Sequence, residues 1–265
     1  MQNNGVQRFG PEKSMKEIAE SFLKQKREVD ELDDRPFYLV NLADIVRQYL
    51  QWGEVLPQIQ PHYAVKCNPD PLILQLLQLL GSSFDCASTS EIMKVTSLGV
   101  DPSSIIFANP SKMSSMVHFA KKAQVKKMTF DCEFELHKIS TIYPEAELLI
   151  RLATDDSHSR IRLSKKFGAD YQECQHLLKL ASSLKMRIVG VAFHAGCDCE
   201  DPTTYSRAIE LGRRVFDYGK ELGHNLTILD IGGGFSVFDS EKMNLRALAS
   251  AIKDSIAQNF QNYPG

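Results

Sequence analysis

The sequence predicts an α/β fold built on parallel strands, and three observations carry that prediction. Seven short runs rich in β-branched and aromatic residues recur at 62–67, 83–88, 105–109, 128–131, 148–153, 188–194 and 228–231. Stretches with helical apolar spacing separate them, among them 72–80, 91–98, 113–123 and 203–223. The runs are near-continuously apolar, the pattern of strands covered by helices on both faces. Two architectures satisfy it: an open doubly wound sheet, or a closed (β/α)8 barrel of the TIM type. Seven strands nearly complete the barrel, so the reading is a barrel truncated before its eighth strand.

Taken in order, residues 12–33 are rich in Lys and Glu with apolar Ile18, Phe22 and Leu23, which predicts an amphipathic helix. The charged residues 30–35 end it. Residues 1–35 are therefore read as an N-terminal helical arm and 36–265 as the barrel domain. Helix starts within the barrel carry local signals: Asn68 before Pro69, a capping box Ser88-x-x-Glu91, and Asp201 before Pro202. Beyond Gly234 there is one more helical stretch, 245–260, and the sequence ends at Asn262-Tyr263-Pro264-Gly265, where an eighth strand would begin. No repeat of roughly 20–50 residues is visible, which excludes a solenoid.

With 265 residues and 43% hydrophobic content, the chain can build one large core. Its 31 basic and 33 acidic residues give a net charge of -2 without any basic block, which speaks against nucleic acid or an anionic membrane as partner. The richest apolar stretch, 71–80, is shorter than the roughly 20 residues of a membrane span and carries Gln75 and Gln78. Met1-Gln2-Asn3-Asn4 lacks the apolar core of a signal peptide. Cysteines 67, 86, 132, 174, 197 and 199 form no C-x-x-C pair and have no histidines at zinc spacing. Reduced thiols, a cytoplasmic location and no metal site are the expectation, with a small molecule or another protein as partner.

In a parallel barrel, function gathers where the strands end. Lys66 closes Tyr63-Ala64-Val65-Lys66, and a lysine buried at a barrel mouth would become a nucleophilic amine suited to a Schiff base. The alternative is a lysine snorkelling outward. Asp85, in Phe84-Asp85-Cys86-Ala87-Ser88 on the next strand, is placed to hold that amine by charge, or else to cap the following turn. Glu91 is assigned to the capping box. Arg151, inside Leu148-Leu149-Ile150-Arg151-Leu152-Ala153, demands an anionic or hydrogen-bonding partner. His194 ends Val191-Ala192-Phe193-His194, where it suits acid–base work, metal binding, ring stacking or a plain structural hydrogen bond. Gly232-Gly233-Gly234 after Asp230-Ile231 reads as a phosphate cradle, because three glycines let backbone amides approach an anion. A plain turn is the competing reading.

These motifs occur together with Ala108-Asn109-Pro110, Ala153-Thr154-Asp155-Asp156-Ser157, Lys166-Phe167-Gly168 and Phe193-His194-x-Gly196. In that order and spacing they resemble the eukaryotic ornithine decarboxylase family, the group that includes the antizyme inhibitors, over residues 36–236. The resemblance implies pyridoxal 5'-phosphate joined to Lys66 as an imine, His194 stacked on its ring, and Gly232, Gly233 and Gly234 holding its phosphate. Asp85 and Arg151 would line the same site. The implied reaction is decarboxylation of L-ornithine to putrescine by a homodimer. The chain as it stands would be inactive alone, without the C-terminal β-sheet domain that carries further site residues. Cys197 and Asp198 depart from the family pattern of serine and glycine; cysteine is the weaker donor to phosphate, and Asp198 adds negative charge. These departures favour the alternative of a non-catalytic, antizyme-inhibitor-like protein, whereas Lys66 and Asp85 speak against it. In the family, the segment 112–135, made basic here by Lys121, Lys122, Lys126 and Lys127, would face antizyme, though a solvated face explains it as well. An alanine-racemase-like enzyme fits the motifs less well.

Overall fold

The computed structural model describes residues 12–30, 32–199, 201–235, 245–261 and 263. The first four residues and Glu31, on which part of the sequence reading rests, lie outside that set. The chain divides into two compact units, Met1–Gln48 and Tyr49–Gly265. In the first, α1 (Met15–Val29) starts at a capping box: the Ser14 side chain accepts from the Glu17 amide while Glu17 accepts from the Ser14 amide. Lys26 pairs with Asp33 at 3.0 Å, so the charged stretch after the helix folds back on it.

Helix α2 (Leu42–Val55) leads into the larger unit. There β1 (His62–Ala64), α3 (Pro71–Leu79), β2 (Ser83–Cys86), α4 (Thr89–Ser97), β3 (Ile105–Phe107), α5 (Ser114–Lys122), β4 (Lys127–Phe130), α6 (Glu133–Ile142) and β5 (Glu147–Leu152) alternate. After β6 (Ser159–Ile161) and α7 (Tyr171–Ser183) come β7 (Arg187–Phe193), β8 (Cys197–Cys199), α8 (Thr203–Glu221), β9 (Ile228–Asp230) and α9 (Leu245–Phe260). Seven strands form one sheet in the order β1-β2-β3-β4-β5-β7-β9. Every neighbour pair in it is parallel. The sheet curls: Ile106 of β3, Leu149 of β5 and Val189 and Ala192 of β7 share one apolar cluster with Ile228 of β9, although β3 and β5 are not neighbours in the sheet. This is the truncated barrel that the alternation predicted.

All seven predicted strands are present, shorter at their C-terminal ends because those residues turn into the functional loops. Helices α2, α6 and α7 lie where the sequence reading named no element. It also missed the antiparallel two-stranded β6–β8 sheet, three residues a side, in which Ser159 faces Cys199 and Ile161 faces Cys197. The predicted start at Asn68-Pro69 is displaced. Asp70 caps α3 instead, its side chain accepting from the Leu72 amide at 2.9 Å, with Pro71 first in the helix. Glu91 likewise reaches past the cap residue to the Ala87 amide at 2.8 Å.

Candidate active site

The sheet strands deliver polar side chains to their C-terminal ends, among them Lys66, Asp85, Asp131, Arg151, His194 and Asp230. Lys66 lies two residues beyond β1, and the Val65 amide donates to the Asp85 carbonyl at 3.0 Å, which sets the two strand ends side by side. Lys66 Nζ donates to Asp85 Oδ2 at 3.1 Å. The lysine is not buried: its side chain is 55% exposed while Asp85 is largely enclosed. The expectation of a desolvated amine is therefore corrected, because a nearby carboxylate and solvent both reach the ammonium. Asp85 bears the desolvation instead. Burial raises its pKa, the Lys66 charge opposes that rise, and the carboxylates of Asp230 and Glu91 add to it. Its second oxygen, Oδ1, is buried with no hydrogen-bond partner among the described residues.

Arg151, in β5, meets the demand for anionic company. Burial lowers its pKa, and Asp131, Asp230 and Asp85 oppose the shift from three sides. Its guanidinium stands 5.2 Å from the centre of the Phe167 ring. Asp131 in turn accepts from the Gly168 amide at 2.8 Å, so one carboxylate pins the turn that carries Phe167.

His194 follows β7. Its pKa is pushed down to about 4, first by burial and then by the positive charges of Arg151 and Lys66, with Asp156 opposing. At neutral pH the ring is uncharged. Nδ1 accepts from the Gly196 amide at 3.1 Å, so the ring proton belongs on Nε2. Thr154 donates to the His194 carbonyl at 2.9 Å and fixes the backbone beneath it.

The glycine loop begins at the end of β9. Gly232 has φ +73°, and a Cβ there would lie 2.3 Å from the Phe193 carbonyl oxygen. Gly234 has φ +79°, and its Cβ would lie 2.4 Å from the Gly196 oxygen. Neither position admits a side chain, whereas a Cβ on Gly233 would stand in ordinary contact, 3.7 Å from His194 Nε2. The loop thus presents bare backbone beside the histidine ring. The Gly232 amide donates to Asp230 Oδ1 at 2.8 Å and is engaged within the loop. Burial raises the Asp230 pKa, which that amide, Arg151 and Lys66 counter. Asp131, Thr154, Phe167 and Asp230 all stood inside the quoted motifs or at strand ends, yet their role as supports required knowing which strands adjoin.

Two sequence readings change. Asp198 does not leave a bare charge beside the loop, because its carboxylate meets Arg160 at 2.6 Å. The ends of the basic segment 112–135 are not surface: Lys112 and Glu135 are buried and paired at 2.9 Å. Lys121 and Lys127 donate to the carbonyls of Ile142 and Ser103, and Lys122 and Lys126 are exposed.

Residues 42–265 match the family described as "Pyridoxal-dependent decarboxylase, pyridoxal binding domain". The chain belongs to this family. It is 43% identical over 232 residues to a probable ornithine decarboxylase of Dictyostelium discoideum, covering 88% of this chain and 50% of that protein. It is 42% identical over 234 residues to antizyme inhibitor 2 of Xenopus laevis, covering 88% and 51%. The arginine decarboxylase of Paramecium bursaria Chlorella virus, solved bound to agmatine, superposes with a TM-score of 0.87 at 36% identity over 94% of this chain and 65% of that one. The chain spans about half the length of the curated relatives it matches.

The family's cofactor is pyridoxal phosphate, and the residues present fit it. An accessible amine, a planar neutral ring, a buried acceptor without a donor and a side-chain-free glycine loop match an aldehyde, an aromatic ring and a phosphate ester. Among the described residues no cluster of His, Cys, Asp and Glu is arranged to hold a metal ion.

Proposed function

We propose that this chain is the cofactor-binding barrel of an amino acid decarboxylase acting on L-ornithine, with putrescine as product. The observation that carries the reading is the Lys66–Asp85 pair, an accessible Nζ at 3.1 Å from a carboxylate whose other oxygen has no partner among the described residues. In this reading Lys66 would hold the cofactor covalently through Nζ and would serve as the local proton carrier. Asp85 keeps the amine oriented. His194, neutral and held through Nδ1, supplies the flat face on which the ring rests and excludes water from that side. Arg151 offsets the carboxylates around it, and the amides of Gly233 and Gly234 receive the phosphate, while Gly232 and Cys197 shape the cradle. When bound, pyridoxal phosphate supplies the electron sink that accepts the pair released as the substrate carboxylate leaves. A homodimer in the cytoplasm belongs to the same proposal, with residues 1–35 as its arm and 36–265 as its barrel.

The test is carbon dioxide release from carboxyl-labelled ornithine, lysine and arginine by the full-length protein carrying this chain. Ornithine should be turned over fastest, and Lys66→Ala should abolish release. Preference for lysine or arginine would move the substrate assignment. Cofactor binding without any turnover would favour a second reading, a non-catalytic protein that binds antizyme. That reading is supported by the 42% identity to antizyme inhibitor 2, and capture of purified antizyme is its direct assay.

A further inference from the structure

We infer that Arg160 and Asp198 form a positioning pair that fixes the phosphate cradle, a role the family pattern leaves to a glycine. The inference rests on the cofactor reading above. Four observations converge on it. In the two-stranded β6–β8 sheet the register places residue 160 directly opposite residue 198, and their side chains meet, Nη2 to Oδ2, at 2.6 Å. Asp198 has φ +51°, a left-handed backbone that glycine adopts freely and other residues only when held. The Asp198 amide donates to the Gly234 carbonyl at 3.2 Å, so residue 198 is bonded to the cradle itself. The two segments also interlock: a Cβ on Gly234 would stand 2.4 Å from the Gly196 oxygen and 3.0 Å from the Cys197 Cα.

The consequence is a mechanical chain from the β6–β8 sheet to the cradle. Arg160 holds the Asp198 carboxylate, the carboxylate holds a backbone that would otherwise relax out of the left-handed region, and that backbone presents its amide to Gly234. Arg160 also cancels the charge that Asp198 would otherwise set beside a phosphate dianion. Neither side chain is buried, with 74% of Arg160 and 42% of Asp198 exposed, so the effect is modest and weakened by salt. These are positioning residues; neither is assigned contact with reacting atoms.

The experiment is a double-mutant cycle on the full chain, read in two ways. Binding of pyridoxal phosphate and of pyridoxal, which lacks the phosphate, is titrated by absorbance for the wild type, Arg160→Ala, Asp198→Gly and the double variant. Without any cofactor, hydrogen exchange of the Asp198 amide is followed in the same proteins and in Arg160→Lys. Arg160→Ala should weaken pyridoxal phosphate roughly threefold, the scale of an exposed ion pair, and leave pyridoxal unchanged. The double variant should return to within about twofold of wild type, because glycine holds φ +51° unaided. Asp198 amide protection should fall in Arg160→Ala and persist in Arg160→Lys. Equal loss in the single and double variants, or unchanged amide protection in Arg160→Ala, overturns the inference. A wild type that binds no pyridoxal phosphate would defeat the functional reading instead, and the exchange measurement would still decide this one.

Discussion

Two lysine–carboxylate pairs stand at neighbouring strand ends, and their difference separates a structural cation from a chemical one. Lys112, in the loop after β3, has a fully buried side chain whose Nζ donates to the carbonyls of Asn109 and Thr129 and to Glu135. All three protons of its ammonium are engaged. Glu135 is as deeply buried, accepts from the Lys112 amide and is shared with Lys138. Lys66 has one carboxylate partner, and its Nζ faces solvent. Both lysines follow apolar runs; the sequence marked Lys66 as a strand-end amine and Lys112 only as the start of a basic segment. Accessibility and spare donors make an amine available for chemistry; burial with saturated donors makes it a strut that ties the β3–α5 loop to β4 and α6.

The largest expected effect tests the strut. Lys112→Met should destabilise the fold by about 3 kcal/mol in urea unfolding, since Glu135 is left buried with Lys138 as its remaining cation. Lys66→Met should cost less than that, because Lys66 is itself half exposed and Asp85, whose pKa burial already raises, can take up a proton once the ammonium is gone. Equal costs would erase the distinction between the two sites. A pH series sharpens it next. His194 has a folded pKa of about 4 against an ordinary 6.5, so between those values the unfolded chain binds a proton that the fold refuses. Stability should fall as pH drops from 6.5 towards 4, and His194→Gln should flatten that slope in unfolding midpoints.

Asp85 runs the other way. Its raised pKa means the folded state holds a proton that the unfolded chain has released, so its contribution is fully present below 3.8 and lost as pH rises through the folded value. Asp85→Asn should remove that dependence, an effect reduced by the opposing charge of Lys66. The smallest change concerns the cradle. Cys197→Ser replaces a weak donor with a hydroxyl and should tighten pyridoxal phosphate about fivefold at most, the value of one hydrogen bond, as read in a spectroscopic titration. No change would show that residue 197 points away from the phosphate.

Strand-to-helix alternation was legible because buried parallel strands read as apolar runs between turn residues, and each run proved to be a strand of the one curled sheet. The two-stranded β6–β8 sheet was not, since Ser159-Arg160-Ile161 and Cys197-Asp198-Cys199 are too short and mixed to carry a period. Lys66, Asp85, Arg151, His194 and the three glycines were found as strand-end residues, and the parallel order brings them to one end of the sheet. What stayed hidden depends on contact across the chain. Asp131 supports Arg151 through Gly168, 37 residues away, and Asp198 is answered by Arg160 across the β6–β8 sheet. Local pattern reports which residues are unusual and says nothing of which distant group satisfies them.

The central claim is that Lys66, and no other lysine, is the amine that holds the cofactor. Borohydride reduction of the protein loaded with pyridoxal phosphate, followed by peptide mapping, tests it most directly. The account predicts a reduced pyridoxyl label on Lys66 in the peptide containing Tyr63-Ala64-Val65, with Lys112 unlabelled in its saturated pocket. A label on Lys112 or any other lysine, with Lys66 free, would contradict it.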